Sequence, residues 1–284
     1  MPTRAQFSSE IRQWMGRYRE ETLHRPDMGS WRNRPYPHIL SADDCLSGLN
    51  LLESIRPNFA QYQAKKKLKL HRDFAHLNSS QALAFNLFFP FLPPGESGLT
   101  WAVPERITGL LELSGLVESE FERIENLAEG TNLDWWASCE DDGRVFCEVK
   151  FTESSFGTAS SATTDYRDRL ERLYRPRLVG VIKPGLIDDL HWFEQHYQIL
   201  RNLAHLLLGH APERNRVLFV LPERSPTYAH LVEFLNEHLE PSVADRVVVW
   251  GLETLTDSLE SSSTSQEERQ HWQEFRTKYC PPLP

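Results

Sequence analysis

The sequence predicts an α/β fold, a mixed β-sheet flanked by helices. Three observations carry that expectation. Strand-like segments follow one another at 121–126, 131–138 and 144–151; apolar runs at 217–221 and 247–251 read as buried strands; and helical patterns precede and separate them. Strands ordered this way need helices on both faces of the sheet to cover their apolar sides, so an α/β sandwich fits best.

Residues 1–40, with Pro26, Pro35 and Pro37, read as an irregular arm with one short helix near 10–20. Ser41 opens a helix with a capping pattern, and Leu46, Leu49, Leu51, Leu52 and Ile55 carry it to Pro57, which stops it. Asn78 with Gln81 three residues on starts another, apolar nearly all round through Phe89 and ended by Pro90. A further helix is expected at 106–116. Within the strand run, Asp142-Gly143 marks a hairpin turn. A Ser/Thr/Gly stretch at 152–164 leads to a helix at 165–175, ended by Pro176. A long helix follows at 188–208, closed by Gly209, and another at 228–239. From Asp257 onward the Ser-rich, acidic sequence reads as a mobile tail with a short helix near 267–275.

With 284 residues, 40% hydrophobic and 25% charged, the chain can bury a sizeable core. No apolar run approaches the length that crosses a bilayer, and the mixed N-terminus lacks a signal-peptide core, so no membrane partner and a cytoplasmic location are expected. Cys45, Cys139, Cys147 and Cys280 are scattered, which argues against a zinc site or a disulfide framework. The net charge of −9 argues mildly against coating nucleic acid. Charge is uneven, however. Residues 56–72 hold six Lys or Arg and no acid, and 167–177 hold five Arg against two acids. These runs fit a basic cleft, although for either alone a solvated helix face is the favoured reading.

The hairpin carries the chemistry. Side chains alternate along a strand, so Val145, Cys147, Val149 and Phe151 point to the core while Glu148 and Lys150 point the other way. The turn brings Asp134 back roughly opposite Glu148. Two carboxylates and the main-chain carbonyl of Val149 suit a hard cation such as Mg²⁺, which would polarise a phosphate while Lys150 neutralises developing charge. Glu-x-Lys alone is common on half-exposed strands, and an Asp opposite is easily a surface ion pair. The constellation, not the tripeptide, points to chemistry.

The segments Phe121-Glu122-Arg123-Ile124, Glu129-Gly130-Thr131-Asn132-Leu133-Asp134 and Phe146-Cys147-Glu148-Val149-Lys150-Phe151-Thr152-Glu153, closing on Phe156-Gly157, resemble the core of the PD-(D/E)XK nuclease superfamily. His76 to Phe88 upstream and Tyr197 to Asn202 downstream resemble the flanking helices of one restriction-endonuclease-like branch, so the likeness spans about 70–224. It implies an αβββαβ core with an N-terminal helical extension: 1–70 as arm and extension, 71–256 as core, 257–284 as flexible acidic tail. It also implies Asp134 and Glu148 as metal ligands, Lys150 as catalytic lysine, Mg²⁺ (or Mn²⁺) as cofactor, and an upstream acid, Glu122 or alternatively Glu125. Leu133 stands where the superfamily's motif has proline. Gln198 is a further candidate from the downstream helix, where it shares a stripe with Arg201, Asn202 and His205. Trp135 or Trp136 could stack a base, although packing is the simpler use.

The function expected is Mg²⁺-dependent hydrolysis of DNA phosphodiester bonds in a restriction or defence setting, with double-stranded DNA as partner. Cutting both strands would favour a homodimer. The alternative is a non-catalytic nucleic-acid-binding or assembly protein that retains the fold. A glycosidase using two carboxylates ranks last, because Lys150 would have no role there.

Overall fold

The computed structural model describes residues 2–101, 103–125, 132–153, 155–159 and 166–282. Residues 126, 131 and 160–165, which belong to the expected strands, loop and helix start, lie outside that set. The central sheet has strands β1 (Leu116–Ile124), β2 (Asn132–Cys139), β3 (Arg144–Val149), β4 (Arg216–Leu221) and β5 (Val247–Gly251), side by side in that order. The first three pair antiparallel and the last three parallel. The mixed α/β sandwich expected from sequence is therefore the architecture found. At the β2–β3 turn, the positive φ falls on Asp142 (+64°), a residue that tolerates the left-handed region.

Helices cover both faces. One face is closed by α1 (Arg4–Arg17), α2 (Arg56–Lys66), α3 (Ser80–Phe88) and α4 (Pro104–Leu110). There the Phe88 ring stacks on Trp135 with centroids 4.5 Å apart. The other face is closed by the helical segment 166–178, α5 (Leu190–Gln195), α6 (Tyr197–Leu203) and α7 (Pro226–His238), which pack on Trp136, Phe146 and Phe219. The final helices, α8 (Leu252–Ser261) and α9 (Gln266–Tyr279), return to the first face. Among the described residues, no helix is long and apolar enough to cross a membrane.

Several elements differ from the sequence expectation for identifiable reasons. The arm opens with a longer helix than expected: α1 runs 14 residues, its Thr3–Gln6 capping box closes the first turn, and Phe7, Ile11 and Met15 are buried. The helix from Ser41 lasts only to Leu46, and Pro57 sits in the first turn of α2, where a missing N–H costs nothing. Ser79, not Asn78, caps α3. The helix expected at 106–116 is shorter, because β1 already begins at Leu116. Pro176 does not end its helix: a π turn over Leu170–Tyr174 takes up the mismatch, and Arg175–Leu178 continues with Pro176 in its first turn. The expected mobile tail is instead two packed helices. Trp272 is fully buried and stacks on Phe91, and the Tyr279 hydroxyl accepts from Asn86 Nδ2 at 2.7 Å.

Candidate active site

The β2–β3 ladder runs from Ser138↔Arg144 to Trp135↔Cys147, and one further step of that register sets Asp134 across from Glu148. At this point a side chain replaces the backbone acceptor: Asp134 Oδ2 accepts the Val149 N–H at 2.7 Å. On the other side, the pairs Phe121↔Trp135 and Arg123↔Leu133 set Glu122 across from Asp134. Glu122 has φ +55°, a conformation that costs a non-glycine residue about 1–3 kcal/mol. Its carboxylate accepts from Gln81 Nε2 (2.8 Å) and Asn132 Nδ2 (2.9 Å) and lies 3.2 Å from His71 Nε2. Glu125 is instead tied to Arg123 and Arg144. Of the two upstream acids, Glu122 is the one the register sets beside Asp134.

Alternation along β3 works as expected. Val145, Cys147, Val149 and Phe151 enter the first core, while Glu148 turns toward α6. Lys150 N–H donates to Val220 O at 2.9 Å, which carries the parallel ladder one residue past β3 and fixes the lysine backbone. Glu148 is only 4% exposed, and a buried carboxylate must find partners. It has four. Lys150 Nζ (2.8 Å) and Gln198 Nε2 (2.6 Å) reach Oε1, while Arg201 Nη2 (3.3 Å) and Asn202 Nδ2 (3.2 Å) reach Oε2.

Gln198 reaches Glu148 because the long helix expected at 188–208 is broken at His196. The Gln198 N–H donates to Gly157 O (3.2 Å), and Glu194 O accepts instead from Ala159 N–H (2.9 Å). The helical bond that would join α5 to α6 is thus spent on the chain leaving β3. Gln198 Oε1 accepts the Gly157 N–H at 2.6 Å, so the turn at Phe156-Gly157 and the Gln198 side chain fix each other. Glu153 Oε2 accepts the Phe151 N–H at 2.7 Å, as a residue closing the strand end would.

Arg201 and Asn202 are the site contacts that sequence reasoning passed over. The signal was present in their spacing of three and four from Gln198, which puts all three on one helix face. The fourth residue of that stripe, His205, packs instead. It stacks on Phe146, and its pKa is pushed down to about 3 by burial and then by Arg201 and Arg177. Trp135 and Trp136 do point to opposite faces, but both are buried and neither offers a face to a base.

Charge at the site is unevenly balanced. Burial, and then the Glu148 carboxylate, push the Asp134 carboxyl well above its usual range. Burial also opposes ionisation of Glu148, but Lys150 and Arg201 outweigh it and hold this carboxyl below the usual range. Burial works against the Lys150 ammonium too. Glu148, Glu153 and Asp134 outweigh it, and the net shift is upward. Lys150 is therefore a fixed cation. Among the described residues no group of three or more His, Cys, Asp or Glu is placed to hold a metal ion.

An antiparallel hairpin continued by parallel strands, with an acid on β2 and Glu-x-Lys at the end of β3, is the build of a restriction-endonuclease-like protein. Residues 9–280 match the model of a family described as restriction endonuclease associating with ARP, and the chain belongs to that family. No curated protein and no solved structure matches it. Membership assigns a nuclease role and a nucleic-acid substrate at the level of the family.

Proposed function

We propose that the protein is a Mg²⁺-dependent (or Mn²⁺-dependent) endonuclease of the PD-(D/E)XK type that hydrolyses DNA phosphodiester bonds, in a restriction or defence setting in the cytoplasm. The observation that carries this reading is the meeting of Asp134, Glu148 and Lys150 at one end of the β2–β3 hairpin. The residues fit a hard cation. Asp134 faces a second carboxylate closely enough to be driven toward its neutral form, a conflict that a divalent ion relieves. Asp134, Glu148 and the Val149 carbonyl would hold it. When bound, the cation supplies charge stabilisation to the scissile phosphate.

The remaining steps belong to the chain. Lys150, held protonated by Glu148, acts through its charge on the attacking water and on the negative charge that builds up at phosphorus. A water oxygen forms the new P–O bond as the bond to the sugar oxygen breaks. The sugar oxygen keeps the bonding pair and takes a proton from solvent, and the proton lost by the attacking water passes to solvent. Gln198 fixes the orientation of Glu148 and ties it to the Gly157 turn. Cutting both strands takes two sites, so the working form is a homodimer. The family's description also makes association with ARP part of this reading.

One observation favours the alternative of a non-catalytic nucleic-acid-binding or assembly protein: both Glu148 oxygens are already engaged by side chains. Plasmid incubated with the purified protein and Mg²⁺ or Mn²⁺ separates the two. The expected result is cleavage that Asp134→Ala and Lys150→Ala each abolish. Wild-type protein that binds nucleic acid but leaves it intact with either metal would establish the alternative.

A further inference from the structure

Two open cavities flank the acids of the site. One, of about 810 Å³, lies between α1 and the chain at 71–80 and reaches the end of β3 at Thr152 and Glu153. The other, of about 680 Å³, lies between the end of α2 and β1 and includes Glu122 and Asn132. His71 lines both and also touches Glu122, so the two cavities adjoin at His71 as the arms of a trough. The trough therefore runs from the N-terminal helix, past the end of β3 and Glu122, to the edge strand of the sheet.

Its walls are cationic although the chain as a whole is acidic. Seven Lys or Arg line the two cavities against four Asp or Glu, in a chain whose net charge is −9. Five of these cations form no ion pair among the described residues: Arg4, Arg12 and Arg72 in the first cavity, Lys67 and Lys69 in the second. All five are exposed. Arg72 lies over the Trp31 ring at 4.5 Å, which fixes its guanidinium by one face and leaves its edge free to donate. The Arg run at 167–177 lines neither cavity, and two of its members are paired, Arg172 with Asp168 and Arg175 with Glu171 and Asp188. Unpaired surface cations gathered in a concave, acid-poor channel attract a polyanion.

We propose that this trough is the path of the polynucleotide backbone. Arg4, Arg12 and Arg72 hold phosphates on one side of the scissile position, and Lys67 and Lys69 hold them on the other. The N-terminal helix is then part of the substrate-binding surface as well as of the core. This rests on the reading of the protein as acting on nucleic acid, but not on its cutting it.

The test is binding of full-length protein, without divalent metal, to a short labelled duplex and its single strand, across about 50–200 mM salt. The slope of log affinity against log salt should fall by roughly one for each cation removed. Arg12→Gln with Arg72→Gln should lower it by about two, Lys67→Gln with Lys69→Gln by about two, and the four together by about four. Lys183→Gln, near the opposite edge of the sheet beside Val247 and Val249, should leave it unchanged. Melting temperatures matching wild type would show that the exposed substitutions keep the fold. The path is wrong if either pair leaves the slope at its wild-type value, or if neither nucleic acid binds in a salt-dependent way. Lowered slopes in a protein that never cleaves would instead count against the endonuclease and leave the path standing.

Discussion

The Asp134 carboxylate accepts the Val149 N–H at 2.7 Å, at the step where the β2–β3 ladder ends. A side chain thus completes the sheet's hydrogen bonding and is held beside Glu148 at the same time. Asp134→Asn tests which of these matters. Its amide oxygen can still accept from Val149, so the fold should survive. Its neutrality removes a charge that the metal-free protein holds at a cost, because burial and Glu148 raise this pKa. The sign follows. An acid with a raised folded pKa costs nothing below its unfolded pKa, and the cost accrues as pH rises from there through the folded pKa. At pH 7 and without metal, Asp134→Asn should therefore melt at or above the wild-type temperature while cleavage is lost. A clear drop in melting temperature would show that the charge is not under strain.

The same strain predicts a metal response. A cation at tenfold excess over its Kd stabilises by about 1.4 kcal/mol, a shift of a few degrees for a chain of this size. Mg²⁺ should raise the melting temperature of wild-type protein and leave Asp134→Asn unmoved. Equal shifts in both proteins would place the metal elsewhere.

Much of this was legible in the sequence, and what was hidden has a physical cause. The strands at the site show period-two alternation and an Asp-Gly turn joins them, so Asp134, Glu148 and Lys150 could be brought roughly together from residues alone. The exact partner across the hairpin depends on a loop length that residues do not fix. Arg201 and Asn202 were harder, because polar residues at helical spacing also mark any exposed helix face; only the burial of Glu148 shows what they face. The break at His196 left no trace either, since Gln198 and Glu194 spend their backbone groups on residues some forty positions away.

Glu148 neutralises two cations that are themselves mostly buried, Lys150 and Arg201, with side chains 13% and 10% exposed. Glu148→Gln keeps the shape and removes the carboxylate that both cations pair with. Breaking a buried pair from one side costs about 3–5 kcal/mol, so chemical denaturation should show a loss on that scale as well as inactivity. A loss under about 1 kcal/mol, the value for a surface pair, would mean that solvent already screens the cluster.

Gln198 tests positioning rather than chemistry. Gln198→Ala removes one of the two donors to Glu148 Oε1 and frees the Gly157 N–H, and should lower kcat with little change in KM. Gln198→Glu sets a second carboxylate 2.6 Å from Glu148 and should be worse on both counts. Equal kcat for wild type and Gln198→Ala would reduce Gln198 to packing.

His271 predicts acid sensitivity far from the site. It is fully buried on α9, with Nε2 3.0 Å from Asn86 O and Nδ1 2.7 Å from the Ser54 hydroxyl, which assigns the proton to Nε2. Burial pushes its pKa down to about 3, against 6.5 when unfolded. Below pH 6.5 the unfolded chain binds a proton that the folded chain refuses, so stability falls as pH falls. The loss is about 1.4 kcal/mol per unit, or about 2 kcal/mol at pH 5. His271→Gln should flatten part of that slope; an unchanged slope would assign it to other groups, such as His205.

The last helix gives the sharpest contrast with the sequence expectation. A mobile acidic tail could be removed without consequence, whereas the structure puts Trp272, Phe275 and Tyr279 inside the first core. Trp272 is fully buried against Phe91. The same helix ties back to the N-terminus, where Trp14 Nε1 donates to Lys278 O at 3.1 Å, and to α3 through Asn86 and Tyr279. Trp272→Ala leaves a cavity that neighbouring rings cannot close, at a cost of about 3–5 kcal/mol, a large part of a typical domain's stability. Because α3 carries Gln81, which holds Glu122, loosening α9 should also slacken the site from behind. The measurement is denaturant unfolding of Trp272→Ala beside Gln270→Ala, an exposed neighbour on the same helix. The first should lose several kcal/mol and the second less than about 0.5 kcal/mol; equal stability in the two variants would return α9 to the surface.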